Sequence, residues 1–360
     1  MGLSLYHCYR GLQKNSAGGE AISLIERTLP TLGNDHRLDL SFGRGMTGVL
    51  WAVNHLMKNG FVDGCLQDCV EDHVFDELTR WAVQSLKKHN HDYLLGALGV
   101  IPLLIDLEDE NWRISLKKVV TSLVGNAAAA EQGMLYWNQS PVLGHQGNNV
   151  INLGLAHGLP GILYLLAMCY DNKIEPALSL QTIERCHRWL RSKQLDETKH
   201  GFYFPFAFGG DQDTIPPSLR WCYGDLGLSI GLYNCGRLAG FKDAENYGLE
   251  IALHCARTEH KHAVVDAHLC HGTAGVAHIF ARFFNYTGNE SFKSASQYWF
   301  DQTCDKFDTT LESGFRTWKG DQFGWVEYKG FLEGSAGIGL ALISSITDIE
   351  PRWDRCLLLS

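Results

Sequence analysis

One short pattern constrains this chain more than any other. Gly-x-x-Gly followed by an apolar run occurs six times, at Gly45–Gly48, Gly96–Gly99, Gly158–Gly161, Gly224–Gly227, Gly272–Gly275 and Gly334–Gly337. The runs behind it include Val49-Leu50-Trp51-Ala52-Val53, Ile162-Leu163-Tyr164-Leu165-Leu166, Val276-Ala277-His278-Ile279-Phe280 and Ile338-Gly339-Leu340-Ala341-Leu342. Apolar stretches with so few charges predict helices buried on most of their circumference. Glycine costs helix propensity, so its recurrence at the helix start points to a close approach, here expected between neighbouring helices.

Between these runs lie segments with a polar face: Val70–Lys88, Trp112–Ala129, Leu178–Lys193, Asp243–Arg257 and Ser291–Phe307. In the third, Leu180, Ile183, Trp189 and Leu190 fall near helical spacing among Glu184, Arg185 and Arg188. The repeating unit is therefore one sheathed helix plus one half-exposed helix, with a period of roughly 50 to 65 residues. Such pairs close into a ring or stack as an open array. An open array needs polar capping repeats, which the sequence does not display, so closure is expected. Aromatic, glycine-rich linkers such as 200–210 and 314–325 precede several repeats. They are expected to supply strand-like pieces at the N-terminal end of the buried helices.

Composition excludes several functions. A formal charge of -9 with no basic cluster argues against a nucleic-acid binder. No charge-free run of about 18 apolar residues occurs, so no membrane span is expected, and the first residues lack a signal-peptide pattern. Eleven cysteines, scattered and odd in number, do not resemble a secreted disulfide framework. A cytoplasmic location is the expectation.

The repeat gives a register. Immediately before the first glycine stand Arg44, Leu95, His157, Tyr223, His271 and Glu333; one position earlier stand Gly43, Leu94, Ala156, Cys222, Cys270 and Leu332. Equal offsets should lie at equal heights, which would bring Cys222, Cys270 and His271 together. Two thiolates and one imidazole suit zinc, and three protein ligands leave a fourth position open. Spacing alone equally allows two unrelated buried cysteines beside a helix-capping histidine.

Trp221-Cys222-Tyr223-Gly224, Cys270-His271-Gly272 and Ala156-His157-Gly158, set within the repeated Gly-x-x-Gly, resemble the lanthionine synthetase C-like family. The resemblance runs from about Leu40 to the C-terminus and is strongest to the stand-alone cyclases of lanthipeptide biosynthesis. It implies an all-α fold, an α/α toroid formed by residues 1–360 as a single domain. The family toroid has seven helix pairs; with six motifs here, one pair has lost its signature or is assembled from the termini.

The resemblance also implies a reaction, a zinc ion held by Cys222, Cys270 and His271, and a dehydrated precursor peptide as substrate. Its other implied partners are a dehydratase and an exporter in a biosynthetic complex. The family adds a peptide cysteine thiol to dehydroalanine or dehydrobutyrine, closing a thioether ring. A free thiol is only about 3% thiolate at pH 7, and coordination in the open zinc position supplies roughly 2 kcal/mol by deprotonating it. His157 matches the family's acid/base for protonating the enolate, Asp92 the aspartate that orients or charge-balances it, and Tyr223 a hydrogen-bond donor near the enolate. Asp92 reads equally as a plain helix cap. Arg220 departs from the pattern: the family's arginine stands somewhat further upstream of the first cysteine.

Two other functions fit the same residues: addition of glutathione or another small thiol to dehydrated residues, and a non-catalytic zinc-binding scaffold in a peptide-modifying complex. A glycosidase would need paired carboxylates that the register lacks. Gly43-Arg44-Gly45-Met46-Thr47-Gly48 fits a dinucleotide fingerprint but has no βαβ context. His55, His254 and His278 read as packing or surface residues, and His145 as a candidate for the wall of a cavity expected at the N-terminal end of the buried helices.

Overall fold

The structure is a computed structural model that describes Ser23 and residues 39–139, 150–209, 219–257 and 264–360; His145 lies outside these. By internal packing the chain forms two compact units. One comprises the described residues of Pro30–Pro217 and Gly231–Gly248, the other those of Met1–Leu29, Ser218–Ile230 and Leu249–Ser360.

The helices expected behind each Gly-x-x-Gly are present. They are α1 (Met46–Lys58), α4 (Val100–Asp106, led by a 3-10 turn at Ala97–Gly99), α6 (Leu159–Asp171), α9 (Asp225–Ala239), α11 (Thr273–Thr287) and α13 (Ser335–Ser345). In α6 every residue from Leu159 to Cys169 is buried. The amphipathic partners are α3 (Asp72–Lys87), α5 (Glu110–Gly125), α7 (Pro176–Ser192), α10 (Lys242–Arg257) and α12 (Glu290–Cys304), with one-turn helices α2 (Leu66–Cys69) and α8 (Glu197–His200) in linkers. Helix α3 buries Phe75, Leu78, Thr79, Ala82 and Leu86, one face at helical spacing.

In the first unit α1 packs on α4, α3 on α5 and α6 on α7; in the second α11 packs on α12 and α13. The predicted helix over Trp112–Ala129 stops earlier, at Gly125. Ala128–Ala129 is instead strand β1, paired antiparallel with β2 (Leu135–Tyr136). Alanine favours a helix intrinsically, but this pairing with Leu135–Tyr136 overrides the local preference.

The glycines do something other than expected. A Cβ added to Gly48, Gly227, Gly275 or Gly337 would lie 2.0, 2.2, 1.9 or 1.9 Å from the carbonyl oxygen of Phe42, Trp221, Leu269 or Phe331, each six residues earlier. The motif therefore clears room for the chain's own preceding loop, which doubles back over the helix N-terminus. The close helix-to-helix contact falls elsewhere, at Gly236, where a Cβ would meet the Glu245 backbone nitrogen at 2.3 Å. Gly224, at φ 91, is the first glycine of its motif that also needs the left-handed region.

The doubled-back loop satisfies helix amides that have no intrahelical acceptor. Met46, Thr273 and Ser335 donate their N–H to the carbonyls of Asp39, Asp266 and Tyr328, each seven residues back, at 2.8 to 3.0 Å. None of the N-cap glycines Gly45, Gly158, Gly272 and Gly334 offers a side chain for the purpose.

Candidate metal centre and proton-handling dyad

Successive loops are stitched together at one register. Gly43 donates its N–H to Leu94 O at 2.6 Å in the first unit; in the second, Cys222 donates to Cys270 O at 3.3 Å and Cys270 to Leu332 O at 3.0 Å. All five residues stand two before a motif's first glycine. Main-chain bonding between repeats thus places the two cysteines side by side.

The sulfurs of Cys222 and Cys270 and a ring nitrogen of His271 lie within 4.8 Å of one another. Both cysteines are buried and His271 is half-buried. The donor set fits a thiophilic divalent ion: two soft sulfurs and one borderline nitrogen already converge, so little rearrangement is required. A hydrogen bond with Cys222, then burial, then the charges of Cys222 and Glu333 hold the Cys270 thiol well above its usual range, against the opposing charge of Arg220. Left without a cation, this pair keeps its proton; a cation is what would release it. The N-termini of α9 and α11, three residues beyond Cys222 and Cys270, add partial positive charge that favours the thiolates.

Sequence reading missed the residues behind His271. Asp266 and His268 are each 1% exposed, and with His271 they form a second cluster of ligand-type atoms within 4.8 Å. His268 Nδ1 accepts the His271 main-chain N–H at 3.4 Å, and its Nε2 stands 2.9 Å from Asp266 Oδ2. Burial raises the Asp266 carboxyl, but hydrogen bonding and charge from His268, the His271 ring and the Trp318 amide outweigh it and hold the group below its usual value. The available signal was register. Asp39, Asn90, Asn152 and Asp266 all stand six before a first glycine, where Asp39 and Asn152 bond loop amides.

A hairpin leans on the same cluster. Strands β5 (Thr317–Trp318) and β6 (Trp325–Val326) pair antiparallel, with the Trp318 N–H on Asp266 Oδ2 at 3.2 Å and Thr317 Oγ1 on Glu333 O at 2.7 Å. These are the strand pieces expected from the aromatic linker. Lys319 pairs with Glu333. Tyr223 follows Cys222 directly and is half-buried.

The other expected site residues lie in the first unit. His157 Nδ1 meets Asp92 Oδ2 at 2.7 Å, while Asp92 Oδ1 accepts the Leu95 N–H at 2.7 Å. Asp92 therefore partners His157 with one oxygen and holds a loop amide with the other; it is not the helix cap, which is Gly96 and receives no side-chain bond. The Asp92 side chain is fully enclosed and that of His157 is 21% exposed. Giving its Nδ1 proton to the carboxylate fixes the imidazole tautomer and leaves Nε2 as the nitrogen able to exchange a proton. The His157 loop is pinned on one side by the pairing of β3 (Ile151–Asn152) with β4 (Ala207–Phe208) and on the other by Gly158 N–H on Gly154 O at 2.8 Å.

The family model for lanthionine synthetase C-like protein matches residues 1–358. The nisin biosynthesis protein NisC of Lactococcus lactis subsp. lactis is 24% identical over 360 residues, 93% of this chain and 81% of that protein. The solved structure of nisin cyclase superposes with a TM-score of 0.78 at 20% identity, covering 99% of this chain and 89% of the other. A sugar epimerase from a ruminal bacterium aligns only at a TM-score of 0.31. The fold shared with nisin cyclase is the α/α toroid that the resemblance implied. The chain belongs to the lanthionine synthetase C-like family.

Proposed function

We propose that this protein is a zinc-dependent lanthipeptide cyclase, adding cysteine thiols of a dehydrated precursor peptide to dehydroalanine or dehydrobutyrine. The convergence of Cys222, Cys270 and His271 within 4.8 Å, in a chain of this family, is the observation that carries the reading. Zinc, when bound, supplies Lewis acidity that keeps a coordinated substrate thiol deprotonated at neutral pH.

The chain's own residues do the rest. Cys222, Cys270 and His271 would hold the ion and, as three ligands, would leave room for the substrate thiol, while Arg220 and two helix N-termini favour the ligands' anionic forms. In the addition the S–H bond breaks, a C–S bond forms at the β-carbon, and the α-carbon takes one proton, so the peptide's composition does not change. We assign that α-carbon proton to His157 Nε2, with Asp92 fixing the tautomer and stabilising the imidazolium. Tyr223 is assigned a hydrogen bond to the enolate oxygen.

Because cyclisation leaves mass unchanged, the test is thiol alkylation of a dehydrated peptide after incubation with the zinc-loaded protein. Loss of alkylatable cysteines without added thiol supports the cyclase. A mass gain that requires glutathione identifies a small-thiol ligase instead, and no change in either arm contradicts catalysis.

A further inference from the structure

Asp266 carries an unexplained atom. Its carboxylate is buried, and Oδ2 faces both the Trp318 N–H at 3.2 Å and His268 Nε2 at 2.9 Å. Oδ1 is also buried and has no hydrogen-bond partner. An enclosed carboxylate oxygen without a donor is costly, and its persistence calls for a partner. The His271 ring lies within reach: carboxylate oxygen, His268 nitrogen and His271 nitrogen are within 4.8 Å of one another.

The neighbours restrict what His268 can do. Its Nδ1 accepts the His271 amide, so its proton sits on Nε2, which lies 2.9 Å from Asp266 Oδ2 but off the line of a hydrogen bond to it. Its ring stands edge-to-face with that of His271, centroids 4.1 Å apart, and forms a wall beside it. A histidine that gives one ring nitrogen to a metal must keep its proton on the other, and that N–H is ordinarily taken by a carboxylate or carbonyl.

We infer that Asp266 is the positioning carboxylate for His271: Oδ1 accepts the second imidazole N–H once the first nitrogen holds the ion, with His268 bracing the ring and its main chain. This rests on the metal reading above and adds two residues to it. Asp266 touches neither the ion nor the substrate, so its removal should weaken zinc binding before it affects anything else.

The test uses the full chain labelled with 15N-histidine. On adding zinc to the wild-type protein, a slowly exchanging imidazole N–H should appear and be assigned to His271. In Asp266→Ala that signal should vanish, and chelator competition should show zinc held 10- to 100-fold more weakly. Asp266→Asn, which keeps an acceptor without the charge, should fall between.

Zinc binding to wild type with no protected His271 N–H, or unchanged affinity in Asp266→Ala, would overturn this inference and leave the metal reading standing. Failure of wild type to bind zinc, or binding that survives removal of both cysteines, would overturn both. If Asp266→Ala does not fold, the wild-type spectrum decides the matter alone.

Discussion

At the scale of single residues, the proposal divides holding a metal and moving a proton between two groups of side chains. His157 has no place in the cluster of two sulfurs and a nitrogen; its Nδ1 is committed to Asp92 at 2.7 Å. His157→Ala should therefore keep the zinc content of wild type while turnover falls by about 10²- to 10⁴-fold, the usual scale of a lost acid/base group. Metal analysis alongside single-turnover cyclisation checks this, and unchanged turnover would remove His157 from the mechanism. Asp92→Asn should show a smaller turnover loss, because the Leu95 amide keeps its acceptor while the imidazolium loses its counter-charge.

Legibility at this scale followed the main chain. Cys222, Cys270 and His271 could be placed from sequence because glycine fixes the frame and the N–H to C=O bonds at that register join neighbouring repeats. Asp266 shares a register with Asp39, Asn90 and Asn152, but His268 does not. What the two touch depends on how far the loop doubles back, which no local pattern reports. Arg220 read as an ambiguous charge, and only its position beside Cys270 shows that it favours a thiolate there.

At the scale of elements, the repeated unit is a loop folded over its own helix start rather than a pair of helices drawn together by glycine. The sequence located these helices correctly, since a sheathed helix needs a long apolar run and a half-exposed one an alternating face. What the glycines face was beyond it, because the contact is with a carbonyl six residues away. Gly275→Ala would force a methyl to within 1.9 Å of Leu269 O, immediately before Cys270. Backbone cannot yield as a flexible side chain does, so a loss of about 1–3 kcal/mol is expected. Zinc affinity should fall with it, because the displaced loop carries Cys270 and His271. Denaturant unfolding and chelator competition on the same variant measure both; a stable variant with weakened zinc would show that the loop, not the helix, absorbs the strain.

At the scale of the whole molecule, buried charge predicts a two-stage response to acid. Burial pushes His91 and His187 down to about 4, so the folded state keeps them neutral while the unfolded chain protonates near 6.5. Their contribution is intact above 6.5 and is lost as pH falls from there toward 4, by roughly 3 kcal/mol each at the limit. Asp354 behaves as the next stage. Burial raises it, but Arg282 and His278 outweigh that and hold its carboxyl below the ordinary value. Its contribution is therefore present above about pH 4 and disappears as the solution is acidified through the folded-state value.

Arg282 is 1% exposed and spans Asp354 with two nitrogens, at 2.6 and 2.9 Å. Asp354→Asn should consequently cost about 3 kcal/mol at neutral pH by leaving that charge only the exposed Glu350, 2.6 Å away, as partner, and the difference from wild type should shrink as pH falls below about 4. Urea unfolding between pH 7 and 3 tests both stages. The same network anchors the C-terminal 3-10 helix Arg352–Leu357, whose Leu357 carbonyl takes the Trp221 indole N–H at 2.6 Å, one residue before Cys222.

If Cys222, Cys270 and His271 form a metal centre on which cyclisation depends, metal content and cyclisation must be lost together. Zinc stoichiometry measured with loss of substrate thiols, in wild type, Cys222→Ala and Cys270→Ala, tests it most directly. Wild type should hold one zinc per chain, and each variant should lose both the metal and the cyclisation while keeping the far-UV circular dichroism of wild type. Full cyclisation with one zinc retained in either variant would contradict it.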